Sequence, residues 1–563
     1  MNIKSRDGLL RAAALLTILP AALLPLRNPD LFWHLHAGVW MAVHRTLPRV
    51  DSFSFTAAGK PWIDFEWLSQ LLFALARSLG GPSGLWGLKV LLVAAVAAAL
   101  NRALRRAGAD ATARALLLSL WACGAILYAD LRPDLFSVLG LALLLGEAER
   151  PAAARPAAAY FAAFALWASL HAGFAFGLLA LAVRALVLAA RGRRAPARAA
   201  ATLAVCAAAG TLATPYGTGP YRVLLAHGAA AGELSRYILE WRPIALRHPL
   251  EALFWLKLLI VAAAAASAAR AAPERRREFP WELAAVALTL AAAAQRHGRL
   301  VSYFDAAFVV CAAALWRWSR ARPRPLWRAA GWAWLALDAA FLAWFCRGPA
   351  WTAPVDGSLV IASAARFLDA QKPVFAPLRI YNRWEWGGYL GWRLRPWYRV
   401  YDDGRYLFHE NLVAAEHAET TPELWQNFLD GERLDAAVVR SLDAWRPSTK
   451  VYPDGSRRAF ARPWYIDYMP RGRWALVYWD DRALLFARRG AVPARWLAAH
   501  EYRWLKPKDE SAFREGLRLG QIPAGPLAEE IARHRRETEP AAPLWRAKRK
   551  LSQYRYKQIT TSH

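Results

Sequence analysis

Cysteine is scarce in this 563-residue chain, which contains only Cys123, Cys206, Cys311 and Cys346. Each of them lies in or at the end of an apolar run, and there is no CxxC pair or Cys/His spacing. Neither a disulfide framework nor a thiolate metal site is therefore indicated.

Acidic residues are also few, with 43 Asp and Glu against 73 Lys and Arg, which leaves a formal charge of +30. A nucleic-acid binder concentrates its basic residues on one face or tail, whereas here the arginines form short clusters between apolar runs. Because 56% of the residues are hydrophobic, this pattern indicates a membrane protein and no nucleic-acid partner.

The apolar runs have the length of membrane spans, since a bilayer core of about 30 Å requires roughly twenty residues per helix. The N-terminal run has a basic start but no small-x-small cleavage site, so we interpret it as a retained first helix rather than a signal peptide. We predict a mainly α polytopic membrane protein with about eleven transmembrane helices at residues 9–27, 84–104, 112–129, 133–148, 156–170, 172–190, 199–214, 249–269, 280–295, 300–316 and 326–346.

The arginine clusters fall in alternate loops, which predicts a cytoplasmic N-terminus by the positive-inside rule. The long loops 28–83 and 215–248, three short turns and everything after Cys346 are then extracytoplasmic. Within the first loop, Leu31–His44 and Glu66–Leu79 are amphipathic at helical spacing, and we expect two helices lying in the membrane interface.

Composition divides the chain into three parts. Residues 1–348 form the predicted transmembrane domain, including loop 28–83. Residues 349–490 are more polar, and strand-type runs alternate there with helix-type ones, which predicts an extracytoplasmic α/β domain. Residues 491–563 are predicted to be a helical basic tail.

The first loop carries the candidate catalytic residues. Asp30 and His34 are four residues apart and share one face of a helix. A carboxylate there can act as a general base toward a hydroxyl, or with His34 can hold a divalent metal (Mg²⁺, Mn²⁺ or Zn²⁺) that bridges a phosphate. The alternative is that Asp30 only caps the helix that follows. Glu66 is a second-rank catalytic candidate, although an acid at a helix start is also favoured by the macrodipole.

The other predicted outside turns add cationic and aromatic groups. Arginine at an outside turn runs against the positive-inside bias, and binding a lipid phosphate is one reason for it, because a guanidinium matches phosphate oxygens bidentately. Snorkelling to lipid headgroups is the alternative. The candidate phosphate-binding residues are Arg132, His171, Arg242, Arg296, His297 and Arg299, and the candidate substrate-binding residues of the loops are Asp51, Trp62, Tyr216, Glu240 and Trp241.

Several strings carry a family resemblance. NPDLFWHLHAGVW, DSFSFTAAGKPW, RPDLFS, SLHAGF, TPYG and YNRWEWGGYL…YDDGR resemble the motifs of a bacterial family within the GT-C superfamily of membrane glycosyltransferases. That superfamily includes protein O-mannosyltransferases and lipid A aminoarabinose transferases, which take sugar from polyprenyl-phosphate donors. The chain departs from the pattern at Phe65 and Thr214, where His and Asn are expected; Phe65 removes a potential metal ligand.

The resemblance implies a GT-C-like fold in a bacterial cytoplasmic (inner) membrane and makes Asp30 the catalytic or metal-organising acid. It further implies that Trp384, Asp402, Asp403 and Arg405 contact a sugar. The alternative is that WEWGGYL is a packed helix and DDG a turn, without a role in binding. The implied function is transfer of a sugar from a polyprenyl-phosphate donor to a protein, lipid or glycan, with inversion. A non-catalytic assembly subunit on the same fold and a lipid-linked-substrate transporter are the alternatives.

Overall fold

The computed structural model describes residues 18–147, 156–246, 249–319 and 354–538, with isolated positions between 333 and 343. The predicted span at 326–346, part of the span at 9–27 and the end of the basic tail lie outside the described residues. The chain divides into two units. The helical unit comprises Met1–Ser52, Ala57–Leu359 and Gly404–His409, and the α/β unit comprises Phe53–Thr56, Val360–Asp403 and Glu410–His563.

The helical unit follows the apolar periodicity of the sequence closely. Its helices are α1 (Leu31–His44), α2 (Trp67–Arg106), α3 (Ala111–Tyr128), α4 (Asp134–Gly146), α5 (Ala157–Leu170), α6 (Phe174–Ala190), α7 (Arg194–Thr211), α8 (Gly219–Leu234), α9 (Pro249–Arg270), α10 (Pro273–Glu278), α11 (Trp281–Arg296) and α12 (Val301–Ser319). The predicted helix Leu31–His44 is confirmed with the same bounds, and the division of run 156–190 into two helices is confirmed by the turn between Leu170 and Phe174.

The second predicted interfacial helix and the span after it are joined in α2. Gly80 and Gly81 have non-helical backbone angles, and Pro82 follows them, so the helix breaks there. Gly81 has a φ of 60°, a conformation that is costly for residues other than glycine. The break separates a first segment that begins at Trp67 from a second one that is long and apolar.

Three helical stretches among the described residues are long and apolar enough to cross a membrane: Trp67–Arg106, Glu251–Arg270 and Gly298–Ser319. Four shorter apolar helices accompany them, at Ala111–Ile126, Asp134–Gly146, Ala157–Leu170 and Phe174–Ala190. Helices therefore occur where spans are predicted, while the number of spans stays a prediction.

Helix α12 forms the centre of the helical unit. Its residues are buried almost continuously from Val301 to Leu315, and it packs against α2, α3, α4, α9 and α11. A helix that is apolar on nearly all sides has this central position because every face has a packing partner.

The α/β unit contains one mixed sheet and one separate ribbon. The sheet has the order β1 (Ile380–Asn382), β2 (Ala436–Arg440), β6 (Ala483–Arg488) and β5 (Trp474–Trp479), with β1 parallel to β2 and the other pairs antiparallel. The ribbon pairs β3 (Trp445–Val451) with β4 (Arg457–Pro463). The helices are α13 (Ala362–Ala370), α14 (Lys372–Phe375), α15 (Trp384–Arg393), α16 (His409–Ala418), α17 (Pro422–Gly431), α18 (Tyr465–Tyr468), α19 (Ala494–His500), α20 (Glu510–Arg518) and α21 (Ala524–Thr538).

The core of the α/β unit is aromatic. Trp425 is fully buried and contacts Tyr381, Phe428 and the sulfur of Met469. Leu527 of α21 belongs to the same core, so residues beyond 491 contribute to it. The run YRVYDD (398–403) has the apolar pattern of a strand, and the sequence predicts one there. The prediction is wrong, because Val400 forms only an isolated bridge with Ser54.

The contact of α1 with α2 depends on a glycine. A Cβ on Gly38 would lie 2.1 Å from the carbonyl oxygen of Gln70, whereas a Cβ on Gly87 would meet nothing within 4 Å. We expect Gly38→Ala to destabilise the protein by about 1–3 kcal/mol through overpacking, and the control Gly87→Ala to be neutral or stabilising by up to about 1 kcal/mol. Unfolding midpoints in detergent measure both, and equal shifts would contradict the contact.

Candidate active site

Asp30 stands at the N-cap position of α1, but its side chain does not cap the helix. The backbone N–H of Asp30 donates to Asn28 Oδ1 at 3.1 Å, and the Asp30 carboxylate accepts no capping hydrogen bond. Asp110 shows the contrast, since its Oδ1 accepts from the N–H of Ala113 at 2.8 Å. The capping alternative therefore does not describe the Asp30 carboxylate, whose oxygens are left for other contacts.

The surroundings of Asp30 combine burial with positive charge. Burial raises the pKa of its carboxyl, and the guanidinium groups of Arg132 and Arg299 act in the opposite direction. The chain at Gly404 passes directly over this carboxylate, because a Cβ on Gly404 would lie 2.0 Å from Asp30 Oδ1 and 2.9 Å from Trp33 Nε1. Only glycine fits there, which explains the glycine of the DDGR string.

His34 faces Glu66. Its Nδ1 lies 4.0 Å from Glu66 Oε2, and its ring centroid is 3.6 Å from that of Trp33. Burial and the neighbouring Arg132 keep the pKa of His34 well below its ordinary value, so the ring is neutral. Burial and the nearby Asp64 raise the pKa of Glu66 well above its usual range. In the described part of the chain, no ion pair within 4.0 Å joins His34 to Asp30.

His171 completes this cluster from the turn between α5 and α6. Its Nδ1 accepts from the N–H of Gly173 at 3.0 Å and lies 2.9 Å from Ser137 Oγ, which itself accepts from Trp167 Nε1. The proton of the neutral ring is then on Nε2, 3.6 Å from Glu66 Oε1. Burial lowers the pKa of His171 to about 4.

Asp134 lies at the start of α4, on the other side of His171. Its Oδ1 is 3.9 Å from His171 Nδ1 and accepts a hydrogen bond from the hydroxyl of Tyr303. The sequence analysis places Arg132, but not Asp134, among the candidate binding residues, although both stand in the same RPDLFS string. The signal that identifies Asp134 is an ionisable residue at the start of an otherwise apolar helix.

The predicted phosphate-binding cations differ in what they already contact. Arg132 Nη1 is 2.5 Å from Glu240 Oε2, and burial raises the pKa of Glu240 while Arg132 and Arg299 together lower it to about 2. Arg242 donates to the carbonyl groups of Ser235 and Arg236.

Arg299 is different, because its guanidinium makes no hydrogen bond or ion pair within 4.0 Å in the described ranges. It nevertheless affects the pKa of Asp30, Glu66 and His171. Among the described residues of this cluster, Arg299 is therefore a cation that is available for an added anion. Arg296 is exposed at the end of α11, and His297 Nδ1 is 3.4 Å from the carbonyl oxygen of Trp241.

A cavity of about 650 Å³ opens beside these groups, within the size range of small-molecule sites. Arg132, Asp134, Glu240 and Arg299 line it together with Asn28. The turn Asp130–Asp134, loop 215–248 and the turn at Gly298–Leu300 therefore meet around one space.

Three of the loop candidates, Asp51, Trp62 and Tyr216, have protein partners. Asp51 Oδ1 lies 2.6 Å from Arg405 Nη1, and the two side chains are 0% and 1% exposed. The Arg405 guanidinium also lies 4.7 Å from the ring centroid of buried Trp62. Tyr216 donates to the carbonyl of Pro48 at 2.7 Å. These residues hold loop 28–83 in shape.

Trp384, Asp402 and Asp403 belong to the α/β unit. Trp384 begins α15 and is half-buried, while Asp402 and Asp403 are 1% and 2% exposed. Asn382 Nδ2 donates to the backbone oxygen of Asp402 at 2.8 Å. Their contact with a sugar stays a prediction of the family resemblance.

Metal binding also stays a prediction. Among the residues that the structure describes, no group of three or more His, Cys, Asp or Glu is arranged to hold a metal ion. Asp30 and His34 turn to different neighbours, so a cation at either one would need its remaining ligands from substrate or water.

Comparison with known proteins gives a limited likeness. No protein-family model and no curated protein matches the chain. The crystal structure of ArnT from Cupriavidus metallidurans bound to undecaprenyl phosphate is similar over 87% of this chain and 100% of that one, at 14% identity and a TM-score of 0.36. The apo state of ArnT is similar over 86% and 98%, at 14% identity and a TM-score of 0.35.

The Asp51–Arg405 pair provides a test of the loop's architecture. Arg405→Met leaves the buried Asp51 carboxylate without its guanidinium, and we expect the free energy of unfolding to fall by about 3–5 kcal/mol. Asp51→Leu combined with Arg405→Met removes both charges, and we expect it to recover most of that loss. Unfolding midpoints measure the effect, and a double variant no more stable than Arg405→Met would contradict it.

Proposed function

We propose that this chain is a membrane glycosyltransferase that moves a sugar from a polyprenyl-phosphate-linked donor to a hydroxyl acceptor outside the cytoplasm. The observation that carries the proposal is Asp30, a carboxylate in an N-cap position that does not cap, under the influence of Arg132 and Arg299. A helix-terminal acid that serves only stability would accept its helix N–H groups, as Asp110 does.

In the proposed reaction, the oxygen of the acceptor hydroxyl bonds to the anomeric carbon of the donor sugar. The bond from that carbon to the phosphate oxygen breaks, and its electron pair leaves with the polyprenyl phosphate. Asp30 accepts the proton of the attacking hydroxyl. Direct displacement of this kind inverts the anomeric configuration.

Arg299 is the main candidate for the leaving phosphate. Arg132 already pairs with Glu240, so adding a phosphate there means competing with an existing carboxylate. Arg299 has no such partner in the described part of the chain, and a guanidinium can bind two phosphate oxygens at once. Arg132 then assists by its charge, which holds Asp30 toward the ionised form.

The cluster of His34, Glu66 and His171 supports the site without adding net positive charge. Both rings are neutral, and Glu66 is held toward its protonated form. We assign these residues a positioning role for α1 and α2 around Asp30, which is a narrower role than direct catalysis. A divalent metal, which would neutralise the phosphate, remains compatible with this scheme.

The contact of Gly404 with Asp30 favours a second candidate, a non-catalytic membrane subunit. A carboxylate covered by backbone reaches a substrate only after that segment moves. In a subunit of this kind Asp30 would serve the packing of Gly404, and its charge would be dispensable for any transfer.

Asp30→Asn separates the two candidates, because the amide keeps the shape and cannot accept the proton. With full-length protein in lipid bilayers and a panel of polyprenyl-phosphate sugars, we expect release of polyprenyl phosphate to fall roughly 10²–10⁴-fold. Asp110→Asn makes the same chemical change at a helix cap where Asn also caps, and it should retain activity. Full turnover by Asp30→Asn would leave the subunit as the better candidate.

The pH profile provides a second test. Asp30 accepts a proton only when ionised, so activity is lost as pH falls through its raised pKa. Arg299→Gln removes a charge that lowers this pKa, and we expect the acid limb to move to higher pH, together with a weaker apparent affinity for the donor. Arg296→Gln, at an exposed position nearby, is the control, and an acid limb that moves equally in both variants would exclude the assigned role.

A further inference from the structure

Two opposite charges are buried in the walls of the same cavity, away from the residues discussed above. Lys257 of α9 and Asp305 of α12 are 1% and 2% exposed, and Lys257 Nζ donates to Asp305 Oδ1 at 2.8 Å. They stand alone in the apolar strings LFWLKLLI and SYFDAAFVV. Ionisable groups in such helices are expensive to bury and commonly mark a functional site.

The position of the pair relates it to the candidate active site. Asp305 lies roughly one helical turn from the start of α12, and Lys257 roughly two turns from the start of α9. Both starts are at the end of the unit that carries Arg299 and Glu240. The cavity beside Arg299 extends to both residues, so one continuous space joins the two places.

Asp305 has one carboxylate oxygen that the pair does not use. Oδ1 accepts from Lys257, whereas the buried Oδ2 has no hydrogen-bond partner among the described residues. Gly124 of α3, which also lines the cavity, makes room for this oxygen, since a Cβ there would lie 2.1 Å from it. A buried carboxylate oxygen without a donor is costly, because its desolvation is not compensated.

The charges that line the cavity balance. The five basic side chains are Arg27, Arg132, Arg242, Lys257 and Arg299, and the five acidic ones are Asp130, Asp134, Glu240, Glu251 and Asp305. Such a lining offers donors and acceptors side by side without a net charge. It suits a neutral polyhydroxylated group better than a second anion.

We propose that the Lys257–Asp305 pair is a hydroxyl-binding site, which takes one hydroxyl of the donor's sugar when the donor phosphate is bound at Arg299. A hydroxyl is both donor and acceptor, and an ammonium has three donors, of which Asp305 Oδ1 uses one. Once Asp305 Oδ2, which packs against Gly124, turns toward the cavity, the sugar hydroxyl donates to it and the hydroxyl oxygen accepts from Lys257 Nζ. This site would provide substrate recognition for the proposed glycosyl transfer, and the proposal of the site rests on that proposed function.

The competing explanation is a structural ion pair that only joins α9 to α12. Replacing both members of a buried pair by apolar residues of similar volume is often neutral or stabilising, whereas replacing one is destabilising. The double variant Lys257→Met/Asp305→Leu therefore keeps the fold under either explanation but retains sugar recognition only under the structural one.

The test compares two probes on the full-length protein in lipid nanodiscs: polyprenyl phosphate and polyprenyl-phosphate glucose. Tryptophan fluorescence gives the Kd of each, and thermal unfolding checks the fold. We expect the wild type to bind the glucose probe more tightly than polyprenyl phosphate. In the double variant the ratio of the two Kd values should fall about tenfold, while its Kd for polyprenyl phosphate stays unchanged. Ser302→Ala, which removes a buried polar group of α12 outside the cavity lining, should keep the preference.

A folded double variant that retains the preference for the glucose probe overturns the hydroxyl site and leaves the proposed function intact. A wild type that binds both probes equally has the same consequence. A wild type that binds neither probe overturns the proposed function, and this site with it. Should the double variant not fold, mono-deoxy glucose probes on the wild type replace it. At least one of them is then expected to bind about tenfold more weakly, and equal binding by all of them overturns the site.

Discussion

The cost of burying ionisable side chains is the constraint on which the helical unit depends. Every buried charge there requires an opposite charge, a hydrogen bond or a change of protonation state. Arg132 has Glu240, Lys257 has Asp305 and Arg405 has Asp51. His34, His171 and Glu66 respond by a change of pKa, so that the two histidines are neutral and Glu66 is held toward its protonated form.

Three groups of the described residues keep hydrogen-bonding or charge capacity that the proposals above use. Asp30 does not cap its helix, Arg299 has no ion-pair partner in the described ranges, and Asp305 Oδ2 has no donor there. An acid, a cation and a second acceptor are the groups needed to take a proton, a phosphate and a sugar hydroxyl. The surrounding pairs fix the helices, and the proposals above assign ligand recognition to these three groups.

Much of the helical unit could be predicted from apolar periodicity, because packing and burial act on the same repeating positions that the sequence shows. The bounds of α1 are an example. The DDGR string illustrates the limit: its glycine meets Asp30 and its arginine meets Asp51, and no local spacing relates residues so far apart. Lys257 and Asp305 were visible as lone charges in apolar runs, but their pairing depends on how α9 and α12 pack.

The ion pair between Asp51 and Arg405 has a consequence for how the chain is made. Its two members are 354 positions apart, so the first loop is synthesised long before its arginine exists. Until then Asp51 has to stay hydrated, because burying it without the guanidinium is costly. Loop 28–83 therefore reaches its final shape only late in biosynthesis. In a chain that ends before Gly404, the Asp51 carboxylate would be exposed to solvent instead of buried.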